Sequence, residues 1–410
     1  MKIYKQYMYS YPHKKDYYNI DSDLIKKAFS TVKEANLYVH IPFCSSKCGY
    51  CNLFSAVGVD YWIDNYINSM IRHYKFLKNI SDFKINDFVI GGGTPIIMSI
   101  KQMEKFFNSI NIDIKNHFSV IELSPNETND EKLKYIYYRG FKRVSIGIQS
   151  FNDIDLKFLN RRHSVKNCLK ALDLISKYDF ENFNIDIIYG IEGQTIESLK
   201  YSIDMALSFN PTELFIYPLY IREYTYIFNK LNFDENKVYN FYEFLKYYIE
   251  SRGYFQISMR RFVRKDILNL EFNNSCGFET NISLGCGGRN YINNLHFCEK
   301  YSVKQSDIRN IINSFMSKNN FFDGMKGYIL SEREQKNRFI IKNLLFYKGI
   351  NIEEYYNFFN SNILDDYMTF KNNKFSKYIK YKNNKIILKN LGCSDFIIND
   401  ILNYEENFNE

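Results

Sequence analysis

The sequence is sparing with the residues that break or staple chains. Only six prolines and 18 glycines occur in 410 residues, which excludes a proline-rich or glycine-rich linker architecture. Eight cysteines are too few for a secreted disulfide framework in a chain of this length. No apolar run approaches the ~18 residues a spanning helix needs. The opening "MKIYKQYMYSYPHKK" lacks the apolar segment of a signal peptide. The protein is therefore expected in the cytoplasm, free of the membrane. A basic stripe along one element is also missing. The net charge of +8 is carried by lysines mixed with Asp and Glu. That pattern reads as a solvated surface, and no nucleic-acid partner is expected. The 36 tyrosines and 36 phenylalanines against one tryptophan read as compositional bias.

What is present is rhythm. Six short apolar runs are bounded by turn or helix signals: 37–41, 86–90, 119–123, 143–148, 183–189 and 213–217. Amphipathic helical patterns lie between them. The stretch "TNDEKLKYIYYRG" reads as a helix opened by a capping box, Thr128 to Glu131, and closed at Gly140. "SVKNCLKALDLISKY" places Val165, Cys168, Leu169, Leu172 and Ile175 on one face. Alternating strand and helix predicts an α/β fold with a parallel sheet and right-handed crossovers. Six units predict a partial (β/α)6 TIM-like barrel. The segments read as an N-terminal arm (1–30), the barrel core (31–245), a barrel extension and substrate region (246–325) and a winged-helix-like domain (326–410). In the last, 331–348 reads as a strongly amphipathic helix and "KYKNNKIIL" as a hairpin.

Three of the eight cysteines stand in "YVHIPFCSSKCGYCNLFS" directly after the first strand. Cys44, Cys48 and Cys51 leave three readings open. A structural zinc site wants four ligands, usually in two paired clusters, and no second pair follows, though His40 could serve. Buried thiols with no ligand role are the bland reading. A [4Fe–4S] cluster held by three thiolates leaves one iron free to chelate an amine and a carboxylate. S-adenosylmethionine (SAM) has both on its methionine end. Four further features sit at strand ends: "GGGTP" (91–95), Glu122, Gln149 and, within the fifth strand, Asp186. In a parallel barrel such ends form one rim. Three glycines allow backbone amides to approach a ligand closely, and Tyr50 between two of the cysteines is placed to lie against a planar group.

These motifs, in this order, resemble the radical SAM enzymes, and within them the oxygen-independent coproporphyrinogen III oxidase-like branch. The resemblance runs through "YVHIPFCSSKCGYC", "GGGTP", "IELSP", "SIGIQSF", "NRRHS" and "NIDIIYG" to "SEREQKNRFIIKNLL" and "KIILKNLGCSDFI". It implies a [4Fe–4S] cluster on Cys44, Cys48 and Cys51, with one SAM molecule, or two, held by Tyr38, Tyr50, Gly92, Gly93, Thr94, Glu122, Gln149, Arg161 and Asp186. It implies reductive cleavage of SAM to a 5′-deoxyadenosyl radical. The reaction expected is oxidative decarboxylation in tetrapyrrole metabolism. Its alternatives are a C-methyltransferase acting on another metabolite, or a haem-binding, chaperone-like protein. The resemblance further implies a small-molecule substrate and an electron donor such as flavodoxin or ferredoxin. Leu53 stands where the oxidase has an additional cysteine, and Glu192 where a proline is usual. The His-Asn and Tyr-Trp motif of the haem-chaperone relatives has no counterpart, the only tryptophan being Trp62. Cys276, Cys286 and Cys298 could hold an auxiliary cluster or act as a relay, and read first as ordinary thiols. Cys168 and Cys393 read as core.

Overall fold

The computed structural model of the protein describes residues 8–220, 223–228, 230, 234–268 and 278–409. It divides into two compact units. One comprises Lys14–Asn232 and Glu279–Ile329, the other Met1–His13, Phe233–Phe278 and Leu330–Glu410. The boundary at 278/279 falls inside the segment 246–325 that the sequence suggests is one extension.

The first unit is built on six parallel strands: β1 (Glu34–Ile41), β2 (Lys84–Gly92), β3 (Phe118–Leu123), β4 (Arg143–Gln149), β5 (Asn182–Tyr189) and β6 (Glu213–Pro218). Each pairs in parallel with the next, from Leu37 opposite Phe88 to Tyr189 opposite Pro218, with register shifts at Ala35/Leu37 and Gly147/Gln149. All six lie where the apolar runs predict them. Strands of a parallel sheet are covered on both faces, so they read as near-continuous apolar stretches. Val39, Ile90, Ile121, Ile146, Ile185 and Ile216 are accordingly buried. Helices α1 (Ile63–Ile80), α2 (Ile100–Ile110), α3 (Asp130–Arg139), α4 (Asp153–Phe158), α5 (Val165–Ile175) and α6 (Ile196–Leu207) make the crossovers. The result is the open, partial TIM-like barrel expected.

Two local expectations need correcting. Helix α3 opens on Asn129, whose side chain accepts from Lys132 N at 2.9 Å. Thr128 instead turns its hydroxyl back to Ser124 O at 2.8 Å, so the proposed capping box does not form. Gly140 does close the helix, in the left-handed region at φ 96°. On α5, Cys168, Leu172 and Ile175 are buried as expected, but Ala171 joins them while Val165 and Leu169 are half-buried.

Beyond β1 the sheet continues with β7 (Asn281–Leu284), parallel to it, then β8 (Asn290–Ile292), β9 (Leu295–Cys298) and β10 (Lys326–Ile329), each antiparallel to its neighbour. Tyr18–Asn19 adds a short edge strand on β10.

In the second unit, helix Glu235–Ser251 accompanies the hairpin Tyr254–Gln256 and Arg261–Arg264. Helix Glu332–Leu344 packs against helix Ser394–Asn409 and a small antiparallel sheet, Ile350–Asn351, Lys385–Leu388 and Ile379–Lys382. This is the winged-helix-like outline predicted, with the hairpin in place. Helix Glu332–Leu344 departs from the amphipathic expectation. Lys336, Asn337, Arg338 and Lys342 are buried together with Phe339, Ile340, Ile341 and Leu344. Its polar side chains find partners inside: Lys336 Nζ sits 3.0 Å from Asp366, and Asn337 accepts from Tyr367 OH at 2.6 Å. Arg260 and Asp395 form a further buried ion pair at 2.6 Å. No described helix is long and apolar enough to cross a membrane.

Candidate active site

Strand β1 ends at Ile41, and the chain turns out over the carboxyl rim of the barrel. The loop is pinned at its base by short parallel pairing of Phe43–Cys44 with Ala56–Val57. The segment after β2 is laced to it: Gly93 N donates to Ile41 O and Thr94 N to Phe43 O, both at 2.8 Å. At the loop's far side, Gly49 N donates to Leu159 O at 2.8 Å and Asn160 to Lys47 O at 3.2 Å. The three thiols of Cys44, Cys48 and Cys51 are thereby held along one wall of a cavity of about 400 Å³.

That cavity gathers most of the predicted site. Tyr50, Gly92, Gly93, Thr94, Glu122, Gln149, Arg161 and Asp186 line it together with the three cysteines. Tyr38 is the exception. It is half-buried and contributes from behind the lining, sharing a hydrogen bond of 3.2 Å with His40 Nδ1. His40 in turn reaches Phe54 O at 2.8 Å, and burial first of all lowers its pKa to about 4, so it stays neutral. The sequence reading missed several lining residues, among them Ser124, Asn126, Ser145, His163, Tyr217 and Tyr220. Ser145 was within reach, since it stands two residues from the rim position Gly147 on the same face of β4.

Each wall has its own physics. Arg161 is anchored twice, donating from Nη2 to Gly147 O at 2.6 Å and from Nη1 to Cys48 Sγ at 2.9 Å. Arg162, its neighbour, lies exposed at the same cavity. Gln149 adopts φ 75° where the β4–β5 register shifts between Gly147 and Gln149. A non-glycine residue in that region is strained and is found where a side chain must be aimed. Tyr50 packs against the apolar cluster Leu159, Ile188, Ile191, Leu219 and Ile227. Glu122 accepts from Gly92 N at 3.1 Å, and its side chain is exposed at the cavity. Desolvation pushes its carboxyl up to about 7, with the charge of Asp186 adding to the effect. Burial likewise raises Asp186 to about 6, against a hydrogen bond of 2.7 Å from Asn184. Asn184 is fully buried and also donates to Ser145 Oγ at 2.7 Å.

The donor set fits an iron–sulfur cluster. Burial pushes the Cys44 thiol up to about 11 and raises Cys51 as well, each further disfavoured by the neighbouring thiolates. Thiols raised in this way ionise together only against a strong cationic centre. Among the described residues no three His, Cys, Asp or Glu are gathered tightly enough to hold a single metal ion. A cubane offers each thiolate its own iron and asks instead for thiols spread around a void. Gly93 lets the Cys44 loop close against the segment after β2: a Cβ there would stand 2.9 Å from Cys44 Sγ and 2.5 Å from Phe43 O.

The radical SAM superfamily profile matches residues 38–206, the stretch that carries the three cysteines and every cofactor-site residue named from the sequence. These residues are a radical SAM domain. Such domains bind a [4Fe–4S] cluster and SAM, and this one presents the three thiols and the glycine-rich approach for them. The chain is 30% identical over 232 residues to the "Heme chaperone HemW" of Lactococcus lactis, covering 54% of this chain and 60% of that protein's length. It is 29% identical to the same-named protein of Buchnera aphidicola, over 70% of this chain and 78% of the relative. It is 28% identical over 189 residues to the "Coproporphyrinogen III oxidase, anaerobic 1" of Cereibacter sphaeroides, covering 44% and 42% of the two chains. The fold is that of the coproporphyrinogen III oxidase HemN of Escherichia coli, with a TM-score of 0.82 at 18% identity over 97% of this chain and 96% of that one.

Proposed function

We propose that the chain is a radical SAM enzyme of tetrapyrrole metabolism, acting by oxidative decarboxylation of a propionate side chain. The observation that carries this reading is the single cavity that joins three thiols, a glycine-rich amide edge and two elevated carboxyls. Cluster and SAM, when bound, supply a 5′-deoxyadenosyl radical able to take hydrogen from an unactivated carbon. The chain's own residues do the rest. Cys44, Cys48 and Cys51 would hold the cluster through their three thiolates. The amides beside Gly92 and Gly93 approach without a Cβ in the way. Glu122 and Asp186 accept from an ammonium or from ribose hydroxyls, and Tyr50 offers a flat apolar face to an adenine. Arg161, fixed by Gly147 O and Cys48, keeps its position while the ligand changes. Arg162 presents an exposed guanidinium at the same cavity, suited to a substrate carboxylate.

A second reading, haem carriage, is favoured by one observation: curated relatives of this chain bear the name of a haem chaperone. Product analysis separates the two. Incubation of the reconstituted protein with SAM, a reductant and a propionate-bearing porphyrinogen should release carbon dioxide and form a vinyl product. Stoichiometric haem binding without turnover would replace the first reading by the second. Gain of a methyl group instead would assign a methyltransferase.

A further inference from the structure

The positive charge of this protein is concentrated in one small element. The chain carries 54 Lys and Arg against 46 Asp and Glu, a net of +8. The run from Tyr367 to Ser394 holds seven lysines and no acidic residue, leaving the rest of the chain at a net of +1. Compositional bias toward lysine does not account for this, because elsewhere acids accompany the lysines almost one for one. A count over the whole chain hides the stripe.

The structure places these lysines around the hairpin of the second unit. Asn383 and Asn384 take φ 49° and 58°, forming a two-residue turn of the kind that closes tight hairpins. The pair that closes it is Lys382 opposite Lys385. Like charges directly opposite one another destabilise a sheet. One face of the hairpin buries Ile379, Ile386 and Leu388. The other carries Lys380 and Lys382, both exposed, and half-buried Lys385. None of these three meets an acidic side chain among the described residues. Outside the hairpin, Lys371 is paired with Asp365, Lys389 is tied to Ser376 O and Lys377 lies over the Tyr378 ring.

We propose that this hairpin is a docking surface for the phosphate backbone of a nucleic acid, read without regard to sequence. Lysine is depleted from protein–protein interfaces, which favour aromatic and arginine anchors, whereas it is a standard partner of phosphates. A membrane surface would want apolar residues at the tip to insert; the turn presents lysine and asparagine, and the exposed Tyr381 beside it is tied back by its hydroxyl to Phe370 O. The inference is independent of the cofactor reading, since it rests on a different unit and uses none of the cavity residues.

The test is fluorescence anisotropy with the full chain and a labelled ~20-nucleotide single-stranded RNA and a DNA duplex, across a salt series. Binding in the range typical of non-specific association, about 10⁻⁶–10⁻⁴ M, is expected. Substituting Lys380→Gln, Lys382→Gln and Lys385→Gln together should lower the slope of log K against log salt by about 2 to 3, that is, about 0.7 to 0.9 for each phosphate no longer neutralised. These positions lie on the hairpin face away from the buried Ile379, Ile386 and Leu388, and the variant should keep the wild-type circular dichroism with a melting temperature no lower than the wild type. An unchanged slope in the triple variant would overturn the proposal. So would absence of binding at low salt, or binding of poly-glutamate-blocked protein to RNA with undiminished affinity. Tighter binding to anionic vesicles than to either oligonucleotide would overturn it in favour of a membrane surface.

Discussion

Gly93→Ala is the perturbation whose consequence can be worked most fully from the structure. A Cβ at this position would stand 2.5 Å from Phe43 O, 2.9 Å from Cys44 Sγ and 3.0 Å from Ile41 O. Ordinary van der Waals contact begins near 3.4 Å. Phe43 O must therefore give by about 0.9 Å and Cys44 Sγ by about 0.5 Å, or the Gly93–Ile41 hydrogen bond must open. Two of the three obstacles are backbone oxygens and cannot rotate away. Overpacking of this kind costs about 1–3 kcal/mol, which in a domain this large lowers Tm by about 2–4 °C per kcal/mol. The effect on metal binding is sharper. A ligand position holds a metal only within about 0.2 Å of its ideal distance, and the required shift of Cys44 is more than twice that. The expected outcome is a folded protein with a modestly lowered Tm and much less than four irons per chain after reconstitution. Iron determination with the cluster's visible absorption, beside a thermal melt, reads both. A Gly93→Ala protein with full iron and unchanged Tm would refute the reasoning.

Other expectations follow from the same cavity. Arg161→Lys keeps the charge but cannot reach Gly147 O and Cys48 Sγ together, and SAM cleavage should fall about 10–100-fold at preserved folding. Asn184→Ala leaves Asp186 and Ser145 without their shared donor; stability should drop by about 1–3 kcal/mol, and SAM affinity with it, measured by calorimetry. Glu122 and Asp186 have folded values raised above their unfolded ones, so the folded state holds extra protons between about pH 4 and 7. Stability of the ligand-free protein should therefore fall as pH rises through that window, and Glu122→Gln with Asp186→Asn should flatten the pH dependence of Tm. Cys286→Ser should leave the iron content unchanged, because that thiol is fully buried against Tyr66 OH at 3.6 Å, away from the cavity.

Much of the molecule was legible from local pattern. The six parallel strands are apolar runs because both faces are covered, so Val39, Ile90 and Ile185 announce themselves. Rim positions followed from strand ends, which is why eleven residues named from sequence reach one cavity. What escaped depends on three-dimensional detail. Thr128 and Asn129 are both good caps, and only the backbone path decides between them. The helix at Glu332–Leu344 looked amphipathic because its lysines and arginines were assumed to face water; buried partners such as Asp366 and Tyr367 are distant in sequence or in turn geometry. Asn184 sits in its strand between Asn182 and Asp186, and its role appears only once its contacts to Ser145 and Asp186 are seen. Tyr38 shares the strand parity of His40, which places it behind the lining and against that histidine. The basic hairpin was missed because charge was weighed over the chain instead of per element. Cys276 lies outside the described residues.

The central claim is that Cys44, Cys48 and Cys51 hold a [4Fe–4S] cluster on which SAM is cleaved. Anaerobic reconstitution with iron and sulfide, then addition of dithionite and SAM, tests it directly, with Cys48→Ala alongside. The account predicts about four irons per chain and 5′-deoxyadenosine detected by mass, both lost in the variant. Zinc in place of iron, or 5′-deoxyadenosine formed equally by Cys48→Ala, would contradict it.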